Sequence, residues 1–436
     1  MPAVSTFRFA LAMLFGIALI PPQNNARADN WERFRGPNGS GVSDDKNIPT
    51  KFSTKENVRL SIPLTGTGNS GPIVWGDRLF LHGASDDAML RWLTCYDTTN
   101  GKEVWKKTIP GKSVKFRFDS SHASSTPTTD GEAVYVSYWN GKDNIVTAYG
   151  FKKGEELWSR NLGEFISQHG AGASPVIYKD KLIVANDKDS HYDIKTLQRP
   201  VANPSTLYAF DKKTGQTAWE IKREPFRACY SAPFFLEGKG KATEMIVTST
   251  TAITSYDPDN GGVNWTWKWS FPKMPLRTVA SSTFANGILI ACSGDGSGDR
   301  HMAAVALNGF GKEARPDQLW KNEKDFPYVT CPLTRGEHVY FVNDGGYAGC
   351  YVLKTGKKVW QERIPDAKFY ASPLLINGNI YAASDQGDIY VIAAEPTAYK
   401  LLARNILGEQ IMTTPAVANG TLYIRTKSNL YGFATK

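Results

Sequence analysis

Apolar stretches of strand length, cut by Gly, Asn, Asp and Pro, recur along this chain and favour many short strands over long helices. A small residue followed by Pro opens most of the repeating units: Gly71-Pro72, Thr126-Pro127, Ser174-Pro175, Ala232-Pro233, Cys331-Pro332, Ser372-Pro373 and Thr414-Pro415. Ser282-Thr283 fills the remaining slot. The eight starts lie 41 (331 to 372) to 58 (174 to 232) residues apart. Each start leads into an apolar run, a turn and a second run, as in DGEAVYVSY (Asp130 to Tyr138) or NGNIYAAS (Asn377 to Ser384). A third run follows, as in STLYAFD (Ser205 to Asp211), then a Gly turn and a fourth run that carries Trp. Four short antiparallel strands, eight times over, predict an all-β, eight-bladed β-propeller.

The Gly turn and the Trp belong to one frame of eleven positions: a small residue first, often Asp third, Gly seventh and Trp eleventh. Cys95, Asp97, Gly101 and Trp105 fill it, as do Ala209, Asp211, Gly215 and Trp219. Ala148, Gly154 and Trp158 fit it, as do Ser255, Asp257, Gly261 and Trp265, and Cys350, Gly356 and Trp360. Gly suits a positive-φ turn position. The small residue leaves room for an indole, whose N–H then finds a backbone acceptor. The five frame tryptophans are therefore expected to dock neighbouring blades, a structural role. Blade five carries an insertion between Ala306 and Trp320, and blade seven has Val391 and Leu401 in the two key slots. The chain ends after three strands of blade eight. The stretch NVRLSIP (Asn57 to Pro63) is expected to supply its fourth strand, with Leu60 near the Trp slot, and so to close the ring without open sheet edges.

The frame resembles the tryptophan-docking motif of the pyrroloquinoline quinone (PQQ) repeat. Over about residues 58 to 436 the chain is similar to the quinoprotein alcohol dehydrogenase-like propellers, which include non-enzymatic BamB-like members. The segment WERFRGPNGSGVS (Trp31 to Ser43) resembles the leader of exported PQQ-like propellers of planctomycete type. The enzymatic members of this family use an adjacent-Cys disulfide, a Trp platform and Glu, Asn and Asp ligands to calcium. The present chain has no adjacent Cys pair and none of the large insertions that roof the cofactor there. It also lacks C-x-x-C-H, so no c-type haem is expected. PQQ with calcium is thus the lesser expectation, and a PQQ-dependent dehydrogenase the alternative function. The main expectation is a non-catalytic binding scaffold without cofactor.

The N-terminus changes the picture by giving an address. Arg8, the apolar run Phe9 to Ile20 and Ala26-Arg27-Ala28 read as a secretory signal peptide. Residues 1–28 are taken as that signal, 29–56 as a leader segment and 57–436 as the propeller. With no Cys before Cys95 to carry a lipid, the expected product is a soluble monomer, periplasmic or extracellular, and not an integral membrane protein. The partner is then an envelope protein, peptide or glycan. Of 436 residues, 51 are Lys or Arg and 42 are Asp or Glu, for a formal net charge of +9. The cations are dispersed, which argues against nucleic acid as a partner.

Candidate chemistry is sparse. The five Cys show no pairing pattern: Cys95 and Cys350 fill small slots, Cys292 lies in a strand, and Cys229 and Cys331 start strands near the channel. In NDKDSHYD, alternating Asp187, Asp189, His191 and Asp193 suggest a cation loop, but the Gly and closing Glu of a calcium loop are missing. A solvated insertion with no metal is the expectation there. Three to five residues before the strand-starting pairs lie His122, His169, Arg227, Arg277, Tyr328, Lys368 and Gln410. Ring closure is expected to gather His122, His169, Arg227, Arg277 and Lys368 into a positive rim around one mouth, suited to an acidic ligand. Such a rim should bind more tightly as the two His charge near pH 6.5, and its arginines should be replaceable at little cost in stability.

Overall fold

A computed structural model of the chain describes residues 30–115, 117, 119–189, 204–238, 242–271, 275–296 and 298–435. The signal segment, His191 and Asp193 lie outside the described residues. Eight four-stranded antiparallel sheets form the blades of one propeller, in which each inner strand follows the small-Pro pair that the repeat places before it. Blade one runs Ile73–Trp75, Arg78–Ala84, Leu90–Asp97 and Glu103–Pro110 from inside to outside, and the following blades repeat this order. The slot without Pro behaves like the others, with Thr283–Ala285 as inner strand of blade five.

Ring closure is as expected. Val58–Pro63 pairs antiparallel with Asn429–Phe433 and completes blade eight. Leu60 stands opposite Gly432 across a bulge, in the register that Trp105 takes opposite Cys95. Its side chain lies against the Gly101 turn of blade one. Trp105, Trp158, Trp219 and Trp320 likewise lie on the turn Gly of the next blade. A Cβ on Gly154 would stand 2.6 Å from the Trp105 ring, one on Gly215 2.5 Å from Trp158, and one on Gly356 2.6 Å from Trp320. All three glycines also have positive φ, so nothing larger fits. The indole N–H groups reach backbone carbonyls of the next blade: Trp105 to Phe151 at 3.2 Å, Trp158 to Lys212 at 2.9 Å, Trp219 to Pro258 at 3.2 Å and Trp360 to Glu395 at 2.9 Å. Trp105, Trp158, Trp265 and Trp360 are buried, and Trp219 is half-buried.

Two expectations about the irregular blades change. In blade five the insertion folds as a short 3-10 turn, Gly311–Glu313, and Trp320 still docks, donating to Leu353 O at 2.9 Å. In blade seven the register Val391↔Ala403 puts Ala403 in the indole slot, while Leu401 pairs with Ile392 and is exposed. Val391 and Ala403 lie twelve positions apart, against ten for Cys95 and Trp105, so the longer connection in blade seven moves the slot two residues past Leu401.

The leader is built into the propeller. Trp31 pairs with Val74 of blade one, and Thr129 N of blade two donates to Glu32 O at 2.9 Å. Arg33 donates to Pro233 O of blade four. Arg35 donates to Pro332 O of blade six and Pro373 O of blade seven, both at 3.2 Å. Val42–Ser43 then adds a parallel strand inside blade seven, and Gly420 N of blade eight donates to the Asp45 carboxylate. One short segment therefore ties six blades together and fills one end of the central channel. The turn that lets it fold back needs Gly36, whose φ of 65° and contact with the Trp31 indole admit no side chain.

Candidate ligand site at the channel mouth

The connections that run from each outer strand to the next inner strand surround the other end of the channel. They enclose a pocket of about 200 Å³. Its walls carry Tyr230, Tyr328, Tyr370, His169 and Met412. Small hydroxyl side chains that open the inner strands, among them Thr126, Ser174, Ser372 and Thr414, form a ring lower down. Phe34 of the leader contributes to the same lining. The local sequence logic is the small-Pro pair: a small polar residue is tolerated there because eight inner strands crowd the axis, and its hydroxyl bonds the neighbouring blade. Ser174 Oγ accepts from Thr126 N at 3.0 Å, and Thr414 Oγ1 from Ser372 N at 3.0 Å.

Three acids around the mouth are met by arginines. Asp119 pairs with Arg117 at 3.1 Å, Asp189 with Arg277 at 3.4 Å and Asp344 with Arg300 at 2.8 Å. These pairs also hold the loops in place. Asp189 accepts from Gln168 N at 3.1 Å and from Ala228 N at 2.7 Å, and Asp344 accepts from Tyr328 N at 2.8 Å. His169 Nδ1 lies 2.8 Å from Ser120 Oγ. Burial, helped by the Arg277 charge, pushes the His169 pKa down to about 4. Burial likewise raises the phenols of Tyr230, Tyr328 and Tyr370. At neutral pH the lining is uncharged apart from the paired ions, and rich in hydroxyl groups and ring faces.

The positive rim is accordingly corrected. Of its five residues only His169 lines the pocket. His122 stacks on Trp139 at 5.9 Å between ring centroids, and burial, with Arg91 nearby, lowers its pKa to about 4. Neither His is a cation near pH 6.5. Arg277 is 3% exposed and engaged by Asp189 and by Ala228 O. Arg227 sits over the Phe226 ring, and Lys368 is an exposed side chain outside the pocket lining. Tyr328 does line the pocket, whereas Gln410 does not. The slots were legible because they precede each strand start, but Arg277 is paired with Asp189, which sequence spacing does not connect to it, and burial lowers the pKa of both His. Tyr230 and Tyr370 were missed, although each lies two residues before a small-Pro pair and Tyr328 three before another.

The remaining candidates also settle into structure. Asp187 is buried against Arg223 at 3.1 Å, so the start of the NDKDSHYD stretch is no solvated insertion. Among the described residues no cluster of His, Cys, Asp and Glu is placed to hold a metal. All five Cys are buried free thiols, and Cys229 and Cys331 lie outside the mouth lining. Burial pushes Cys95 and Cys229 up to about 12. Among the described residues no helix is long and apolar enough to cross a membrane.

The sequence profile of the family described as outer membrane protein assembly factor BamB matches residues 50–196, 200–393 and 317–436. A curated protein of that name from Bordetella pertussis is 21% identical over 351 residues, which cover 73% of this chain and 86% of the relative. The crystal structure of BamB from Moraxella catarrhalis superposes with a TM-score of 0.60 at 16% identity, over 86% of this chain and 96% of the other. Tetrathionate hydrolase from Acidithiobacillus ferrooxidans is 32% identical over 136 residues, 30% of this chain. That match spans only 24% of the hydrolase.

Proposed function

Because the chain belongs to the BamB family of PQQ-repeat propellers, we propose that it is an exported, non-catalytic binding scaffold of the cell envelope whose open mouth receives an uncharged segment of a partner protein. The observation that carries this reading is the mouth itself, where tyrosine faces and hydroxyls surround a pocket whose acids are already paired. Such a lining gains by stacking and by neutral hydrogen bonds, about 0.5–1.5 kcal/mol each. It offers no unpaired charge for an acidic ligand to meet. The leader supports the same reading, because it closes the far end of the channel and leaves a shallow, one-sided receptor.

A PQQ-dependent dehydrogenase fits this site poorly. Calcium needs several oxygen ligands, and three of the acids bordering the mouth, Asp119, Asp189 and Asp344, are committed to Arg117, Arg277 and Arg300.

The test is photo-crosslinking in the envelope of the producing cell. A photoreactive phenylalanine at Tyr370 should trap one defined protein partner, and the same group at Lys213, on an exposed turn of blade three, should not. Equal or absent trapping from both positions would remove the mouth from the account.

A further inference from the structure

A second cavity, of about 740 Å³, lies beside the leader on the plugged side of the propeller, within the range of about 300–1,000 Å³ usual for small-molecule sites. Its walls are aromatic. Trp75, Tyr178, Phe235, Phe284 and Phe310 line it, and Tyr178 and Phe235 stack at 5.1 Å between centroids. Trp75, Phe235, Phe284 and Phe310 are only half-buried, so ring faces remain open to the cavity.

The polar groups are few and of both signs. Arg33 lines the cavity and is 4% exposed. One of its terminal nitrogens donates to Pro233 O, but its Nε is buried and meets no acceptor among the described residues. A buried donor left in that state is costly, and more so on a charged group. Glu32, Asp130 and Glu237 also line the cavity, and Asp130 is bound to Lys212 at 2.7 Å. Burial raises the Glu32 pKa above its ordinary value.

This combination narrows the ligand. The carboxylates repel an anion and Arg33 repels a cation. A molecule with flat apolar faces and hydroxyls around its edge satisfies every group present: its oxygen accepts from Arg33 Nε, its hydroxyls donate to Glu32 and Glu237, and its faces cover Phe310 and Trp75. We propose that this cavity binds a neutral sugar chain. The site is separate from the mouth and does not depend on the partner-capture reading.

Three probes test it: maltohexaose, cellohexaose and chitohexaose, titrated into the full mature protein by calorimetry and by intrinsic tryptophan fluorescence. At least one should bind. Phe310→Ala should weaken that binding about threefold to tenfold, the worth of one stacking contact, and Arg33→Gln should weaken it further. Phe310 is half-buried, so its variant is expected to fold, which calorimetric melting would verify. Binding by none of the three sugars would overturn the proposal. So would binding unaltered by Phe310→Ala, or a sulfated hexasaccharide that binds as well as the neutral ones. Partner trapping from Tyr370 should be the same in both variants, which separates failure here from failure at the mouth.

Discussion

The indole N–H of Trp265 donates to Glu244 Oε2 at 2.8 Å, within its own blade. The other docked tryptophans, Trp105, Trp158, Trp219, Trp320 and Trp360, donate instead to a carbonyl of the blade that follows. The exception has a cause. Blade five lacks the regular Gly turn, and its 3-10 turn places Gly311 N on the other oxygen of Glu244. Ser255 Oγ donates to the same carboxylate at 2.5 Å. One buried acid thus replaces the missing half of the docking frame.

Glu244→Ala should therefore strand three donors in a site where Glu244 is 1% exposed. The expected loss is about 3–5 kcal/mol, as for breaking a buried charged network. Urea unfolding should show it, and Trp265→Phe, which keeps the ring and loses only the N–H, should cost about 1–3 kcal/mol.

Replacing Trp158 by Ala should cost about 3–5 kcal/mol through the cavity left on Gly215. Gly215→Ala should be destabilising too, because its φ is +68° and its Cβ would meet the indole. Trp219→Ala should cost less than Trp158→Ala, since Trp219 is half-buried. Equal losses for the two would contradict the docking account.

The repeat made the blades, the docking and the closing strand legible, because each depends on residues within one frame or on a strand count. The leader's role was not legible. Arg33 and Arg35 act on carbonyls 200 to 338 positions away, and backbone carbonyls leave no mark in a sequence. The mouth was half legible: spacing located the loops, but it could not pair Arg277 with Asp189 or bury His122 and His169, so their charges were misjudged.

Arg277 gives a direct contrast. A rim cation would be replaceable, whereas Arg277 is buried and its partner Asp189 positions two backbone amides. Arg277→Gln should cost about 3–5 kcal/mol, as expected when one member of a buried pair is removed. Thermal and urea unfolding would check it.

Acid should weaken the fold through its neutral histidines. Burial holds the His82 pKa near 3, far below the 6.5 of the unfolded chain. The unfolded state then binds a proton that the folded state refuses. This stabilisation is complete above pH 6.5 and falls as pH drops from 6.5 towards 3, by about 1.4 kcal/mol per unit. His82→Gln should flatten the urea midpoint against pH between 6.5 and 4. An unchanged slope would place the acid sensitivity elsewhere.

Deleting residues 56 to 64 should expose the Asn429–Phe433 edge, lower the melting temperature and promote aggregation. Light scattering during a thermal ramp would report both effects.

The central claim is that the mouth binds through neutral tyrosine and hydroxyl contacts. Its most direct test is the affinity of the partner trapped from Tyr370, measured at low and high salt for the wild type and for Tyr328→Ala with Tyr370→Ala. Uncharged contacts are not screened, so wild-type affinity should be nearly the same at both salt concentrations and should fall about tenfold or more in the double variant. A steep loss of affinity with salt, together with wild-type binding by the double variant, would contradict the account and return the site to a charged rim.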